Sequence, residues 1–243
     1  MSARLDPSGT AARAVVIFAG DPRREARSKG LPPRLLSALH SRIASSAGSL
    51  PAIDLFFAFD AAGGIRLDSS GTSCELACGS ALDRKVSAVL QILSARYDAV
   101  VLLAGDLPGV DPDVLEAALH SLESSDPAAA IGPSGDGGFY LAGFNRAPSF
   151  DWAALPWHGE RLALELARAL GAAGFELTIL PRCDDIDSAG DAIRLARAAA
   201  GPIRSLILGI MLRSPALPEP HGSPSRPFTA SLHVRAPPSP APL

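Results

Sequence analysis

Residues 97–119 read YDAVVLLAGDLPGVDPDVLEAAL, and the way this stretch ends its apolar run decides the fold. Ala99 to Ala104 is continuous, aliphatic and short, which predicts a strand buried on both faces. Gly105 stops it, and a carboxylate, Asp106, follows at once. Pro108 restricts Leu107 to an extended shape and fixes its own φ, so Asp106 is held in a defined backbone. Asp111 and Pro112 then open a helix in the usual way, with an acidic N-cap and proline at the first helical position.

The same reading extends outward in both directions. AVVIFA (14–19) predicts a buried strand ending at Gly20, and Leu35, Leu36, Leu39 and Ile43 follow at helical spacing. AIDLFFAFD (52–60) predicts a second strand ending in Asp60. Leu82, Val86, Val89, Leu90 and Leu93 line one side of a helix. AAAIG (128–132), FYLAGF (139–144) and FELTILP (175–181) read as strands; 161–174 and 185–201 read as helices, and Trp157 and His158 as the beginning of one. Strands alternating with helices predict an α/β fold with a mostly parallel sheet covered on both faces. Such sheets bind ligands beyond the carboxyl ends of their strands.

Composition narrows the function classes. A chain of 243 residues, 47% hydrophobic and with a formal charge of -3, can bury a sizeable core. It offers no basic face for nucleic acid and no polybasic membrane patch. Three cysteines are too few for a disulfide framework, and Cys74 and Cys78 have no second pair nearby to complete a zinc set. SLILGIML (205–212) is far too short to span a bilayer. No secretory signal is read at the start, so a cytoplasmic protein is expected. The expected organisation is a flexible tail over 1–13, one domain over 14–213 and a disordered tail over 214–243. That last stretch holds 9 of the 22 prolines. No pattern in the sequence specifies an oligomeric state.

Three acidic segments carry the chemistry. Asp106, fixed at a strand end, suits a hard divalent cation such as Mg²⁺ or Mn²⁺, although turn and capping roles would also place an aspartate there. In GPSGDGGFYLAGF (132–144), Gly135, Gly137 and Gly138 surround Asp136, and glycine permits close backbone approach to a ligand. The motif enters a strand, so it is neither a phosphate loop nor a dinucleotide fingerprint. In DDIDSAGDA (184–192), Asp187 precedes a helix that Ser188 can cap.

The order strand–Asp-x-Pro, Gly-Pro-x-x-Asp-Gly-Gly-Phe-Tyr-Leu-x-Gly, Pro-Trp, Asp-Ile-Asp-Ser resembles one bacterial family. This is the GT-A-type nucleotide-diphospho-sugar transferase family, some members of which are labelled arsenosugar-biosynthesis glycosyltransferases. Molybdenum-cofactor and phospholactate nucleotidyltransferases are its distant relatives. The likeness runs from about Ala14 to Ala199 and is strongest from Val100 to Asp191.

The resemblance implies a Rossmann-like GT-A three-layer α/β/α sandwich and a transferase that needs Mg²⁺ or Mn²⁺. Its substrates would be a nucleotide or nucleotide sugar and a small-molecule acceptor. Asp106 and Asp187 would bind the metal. Asp136, with Gly137 and Gly138, would line the sugar or acceptor side as the catalytic segment. Gly20, Arg23, Arg24, Lys29, Pro108 and Trp157 would contribute to nucleotide and substrate binding. The loop after the first strand departs from the family: Gly20 stands where a lysine is usual, and a Lys-Thr-Arg-Leu run is missing. Arg23, Arg24, Arg27, Lys29 and Arg34 still offer cations for phosphate. A sugar transferase is therefore the leading expectation. The alternatives are a nucleotidyltransferase acting on a nucleoside triphosphate and a degenerate, non-catalytic nucleotide-binding homologue.

Overall fold

The structure, a computed structural model, describes residues 13–199 and 201–213. The expected tails therefore lie outside the described residues, except Arg13, which opens the first strand. The strands are β1 (Arg13–Phe18), β2 (Ile53–Ala61), β3 (Gly64–Ser69), β4 (Thr72–Leu76), β5 (Ala99–Ala104), β6 (Ala128–Pro133), β7 (Phe139–Phe144) and β8 (Glu176–Ile179). The helices are α1 (Pro22–Lys29), α2 (Pro33–Gly48), α3 (Leu82–Leu93), α4 (Pro112–Ser121), α5 (Leu162–Ala172), α6 (Ala189–Ala198) and α7 (Gly201–Met211).

All eight strands join one sheet in the order β4-β3-β2-β1-β5-β7-β6-β8. β3 and β7 run against the other six strands, so the sheet is mixed: most strands point one way, as expected, but only three of the seven neighbouring pairs are parallel and four are antiparallel. The central strands are apolar throughout because each face is covered. Alternate residues of β1 and β5 supply the two cores: Ala14, Val16, Val100 and Leu102 face α3 and α5. Val15, Ile17, Val101 and Leu103 face α2 and α4. A third cluster joins α1, α2, α6 and α7, and the SLILGIML run lies largely in α7, with Ile207 buried there. No described helix is long and apolar enough to cross a membrane.

The structure departs from the sequence reading in several elements: α7 has no counterpart in it, and the helix expected over 185–201 runs only over Ala189–Ala198 as α6. The loop after β1 contains a helix, α1, with Asp21 as N-cap, Pro22 in the first turn and Gly30 closing it at φ 64°. Ala26 is its only buried residue, so it carries no apolar stripe to betray it. β3 and β4 form a hairpin on β2. Trp157 and His158 lie in a turn before α5 and do not begin a helix; His158 takes φ 68°, a left-handed conformation.

Candidate active site

The carboxyl ends of β1, β2, β5, β6 and β8 share one edge of the sheet, and every acidic segment meets there. Beyond β8 the chain stays extended along β6, with Leu180 N–H donating to Ile131 (2.8 Å) and Cys183 N–H to Pro133 (3.2 Å). It then crosses to β5, where Ile186 N–H donates to the Asp106 carbonyl (3.1 Å). This crossing brings Asp185 and Asp187 to Asp106, and one carboxylate oxygen from each lies within 4.8 Å of the others. Asp184 is paired instead with Arg182 (3.1 Å).

Lys29, the last residue of α1, reaches into this cluster. Its Nζ lies 2.5 Å from Asp106 and 2.8 Å from Asp187, with Glu25 one helical turn back at 3.3 Å. It also donates to the Ile186 carbonyl (3.2 Å). Burial works against the ammonium, but Asp106 and Asp187 outweigh it and hold the pKa above the usual lysine value. Asp185 has the opposite balance. Burial, then Asp187, Asp106 and Asp136, push its carboxyl up to about 6. Glu25 is also raised, chiefly by burial, with Lys29 opposing. The cluster thus carries four carboxyl groups around one ammonium, a surplus of negative charge that a further cation would relieve.

Two cavities flank the cluster. The first, about 350 Å³, lies beyond β1 and β2; it is called the polar cavity for the charged side chains Asp21, Arg24, Glu25, Asp60 and Lys85 in its wall, although Phe18, Ala58, Ile65 and Leu82 make much of that wall apolar. Gly20 leaves room there, since a Cβ would sit 2.7 Å from Glu25 Oε2. Asp21 accepts from the N–H groups of Arg23 and Arg24 at 2.8 Å each, so the start of α1 is already satisfied by a carboxylate. The expected arginine pair is split: Arg24 lines this cavity, whereas Arg23 faces a separate surface hollow with Arg34 and Arg213.

The second cavity, about 450 Å³, is mainly apolar, with Val86, Phe139, Trp157 and Leu162 in its wall and Asp136, Gly138 and Asp185 at its polar end. Trp157 is anchored by its Nε1–H donating to the Trp152 carbonyl (2.7 Å) and by an edge contact with Phe139. Asp136 Oδ1 accepts from Ser134 Oγ (2.5 Å) and Gly138 N–H (2.9 Å). Burial pushes the Asp136 carboxyl up, but these hydrogen bonds prevail and hold it below the ordinary value. Gly137, at φ 91°, passes so close to the Glu160 carbonyl that any Cβ would clash. Pro108 lines neither cavity.

Beneath the cluster lies His40, only 7% exposed. Its Nε2 has no hydrogen-bond partner among the described residues. Burial lowers its pKa, so the ring is neutral. A Cβ on Gly105 would come within 3.0 Å of that nitrogen. Cys183 is no nucleophile, since burial pushes its thiol up to about 11.

Asp60, Lys85 and Asp106 all fall in one recognisable segment. Residues 44–159 match the DUF2064 family, described as an uncharacterized protein conserved in bacteria. The matched region contains the Asp106 and Asp136 segments and stops before Asp185 and Asp187. No curated protein matches the chain. Among solved structures, the chain is similar to a proposed nucleotide-diphospho-sugar transferase from Desulfovibrio desulfuricans G20. That likeness has 22% identity and a TM-score of 0.64, over 77% of this chain and 87% of that one. At that identity the likeness shows a shared α/β fold. Rv0371c from Mycobacterium tuberculosis H37Rv is also similar, at 17% identity and a TM-score of 0.42, over 76% of this chain and 97% of that one. A manganese complex of the same protein matches at 19% identity and a TM-score of 0.41, over 77% and 98%.

Proposed function

We propose that the protein is a metal-dependent GT-A transferase that moves a sugar from a nucleotide-diphosphate donor to a small acceptor. The observation that carries this reading is the convergence of Asp106, Asp185 and Asp187 between a polar and an apolar cavity. Closely spaced carboxylates are the donor set for Mg²⁺ or Mn²⁺, provided Lys29 gives way. The cation would be held by Asp106 and Asp187, with Asp185 adjacent, and when bound would neutralise charge on the leaving diphosphate.

The remaining chemistry belongs to the chain itself. The nucleotide occupies the polar cavity, with Arg24 and a displaced Lys29 as partners for phosphate oxygens. The acceptor places an apolar body against Trp157, Phe139 and Leu162 and presents a hydroxyl to Asp185. Asp185, whose carboxyl lines that cavity, takes the proton as the hydroxyl attacks the sugar carbon and the diphosphate leaves. Asp136 has one oxygen engaged in its own turn, and its depressed pKa makes it the weaker base. Its role is to hold the Gly137–Gly138 wall in place. The reading places the protein in the cytoplasm with its nucleotide substrates.

The test is product analysis with purified protein, Mn²⁺, candidate nucleotide sugars and apolar alcohols. Release of a nucleoside diphosphate with glycosylated acceptor supports the proposal. Pyrophosphate release from a nucleoside triphosphate would make the protein a nucleotidyltransferase. Nucleotide binding by folded protein with no turnover of any donor would leave the degenerate homologue as the correct reading, and no nucleotide binding at all would overturn every one of these readings.

A further inference from the structure

The polar cavity holds an ion pair that the catalytic account does not use. Lys85, on the first turn of α3, is one of only three buried polar or charged residues among the described ones and is 9% exposed. Its Nζ lies 2.5 Å from Asp60 Oδ1, near the end of β2; 57% of the Asp60 side chain is exposed, and both residues line the cavity. An apolar residue of similar length would bury more cheaply at this position than an ammonium. The pair instead presents a donor next to a two-oxygen acceptor, flanked by the apolar walls Phe18, Ile65 and Leu82. That combination, an apolar wall with one aromatic ring beside a short polar edge, suits a planar heterocycle.

We infer that Asp60 and Lys85 form a nucleobase subsite selective for guanine. The inference rests on the nucleotide-dependent transferase reading and adds the base. Guanine presents O6 beside N1–H and the N2 amino group, an acceptor followed by two donors. Lys85 donates to O6, and the carboxylate of Asp60 accepts from N1–H and N2–H. Uracil offers the carboxylate one N–H and then sets a carbonyl oxygen against it. Adenine and cytosine each offer one amino group beside a ring acceptor, so they give the carboxylate one hydrogen bond where guanine gives two. The cavity also runs past Ser28 and Glu25 toward Lys29, which puts the diphosphate of a base-docked nucleotide at the carboxylate cluster.

The experiment is calorimetric titration of the full chain with Mn²⁺ against GDP, IDP, ADP, UDP and CDP, for wild type, Asp60→Asn and Lys85→Met. GDP should bind at least about ten-fold tighter than the others, from one well-made bidentate contact. IDP, which lacks the N2 amino group, should fall short of GDP by about the same factor in wild type, a result that needs no variant to fold. In Asp60→Asn the preference for GDP should collapse while weak binding of all five persists. Tighter binding of another base, or equal binding of GDP and IDP, overturns the guanine assignment and leaves the transferase reading standing. An unchanged preference in a folded Asp60→Asn variant removes the subsite from Asp60. Binding of none of the five overturns both readings together.

Discussion

Lys29 Nζ lies 2.5 Å from Asp106 and 2.8 Å from Asp187, in the space between the two carboxylates that a divalent cation would share. The helix that carries Lys29 lies directly after β1, so an ammonium from the nucleotide-side loop neutralises the carboxylates until something else does. A phosphate arriving in the polar cavity gives Lys29 another partner and frees the carboxylates for a cation. On this account nucleotide and metal bind with positive coupling.

Replacing Lys29 with methionine removes the competitor. Mn²⁺ should then bind the nucleotide-free protein more tightly, by roughly ten-fold, the value of one charge-assisted contact. Nucleotide binding should weaken in the same variant, because a phosphate partner is lost. Calorimetry with Mn²⁺ alone and then with nucleotide measures both; a fall in metal affinity would show that Lys29 assists the cation.

Asp185 gives a pH signature in metal-free buffer. Its folded pKa of about 6 lies above the ordinary carboxylate value of 3.8, so between those values the folded protein binds more protons than the unfolded chain. The contribution of Asp185 to stability therefore falls as pH rises through that window and remains unfavourable above it. Asp185→Asn should melt higher than wild type at pH 8, and the difference should vanish below about pH 4. Melting curves with a chelator present at both pH values decide it.

Gly137→Ala should be destabilising by about 2 kcal/mol or more, through strain at φ 91° and a clash with the Glu160 carbonyl. The clash pries the Asp136 turn from the segment that carries Trp157, so acceptor use should fall more than nucleotide binding. Gly171, where a Cβ would meet nothing within 4 Å, is the control: Gly171→Ala should leave stability within about 0.5 kcal/mol or improve it.

Trp157→Ala separates the two cavities. The side chain lines only the apolar one, so KM for the acceptor should rise while nucleotide affinity stays within about two-fold. Steady-state kinetics with acceptor and nucleotide varied in turn is the measurement.

Much of this arrangement was legible in the sequence. The six-residue strand that stops at Gly105 announced both the sheet and Asp106, because an aliphatic run of that length has few other solutions. Asp187 was legible as the acidic entry to α6. Asp185 was overlooked, although its signal was present: in an extended segment residues two apart share a side, so Asp185 accompanies Asp187 while Asp184 turns toward Arg182. α1 has no apolar stripe to signal it, yet Asp21-Pro22 is the same helix start as Asp111-Pro112. The β3–β4 hairpin carries only a weak signal, alternating residues around Ser70-Gly71. Two contacts could not have been read at all. Lys29 meets Asp106 from 77 residues away, and Lys85 meets Asp60 from 25, and only the folded topology brings either pair together.

The most direct test of the account is calorimetric titration of nucleotide into wild type and Asp106→Ala, each with and without Mn²⁺. The account predicts binding by wild type that depends on Mn²⁺ and is lost in Asp106→Ala, with cooperative melting retained in the variant. Binding that persists unchanged in Asp106→Ala would contradict it.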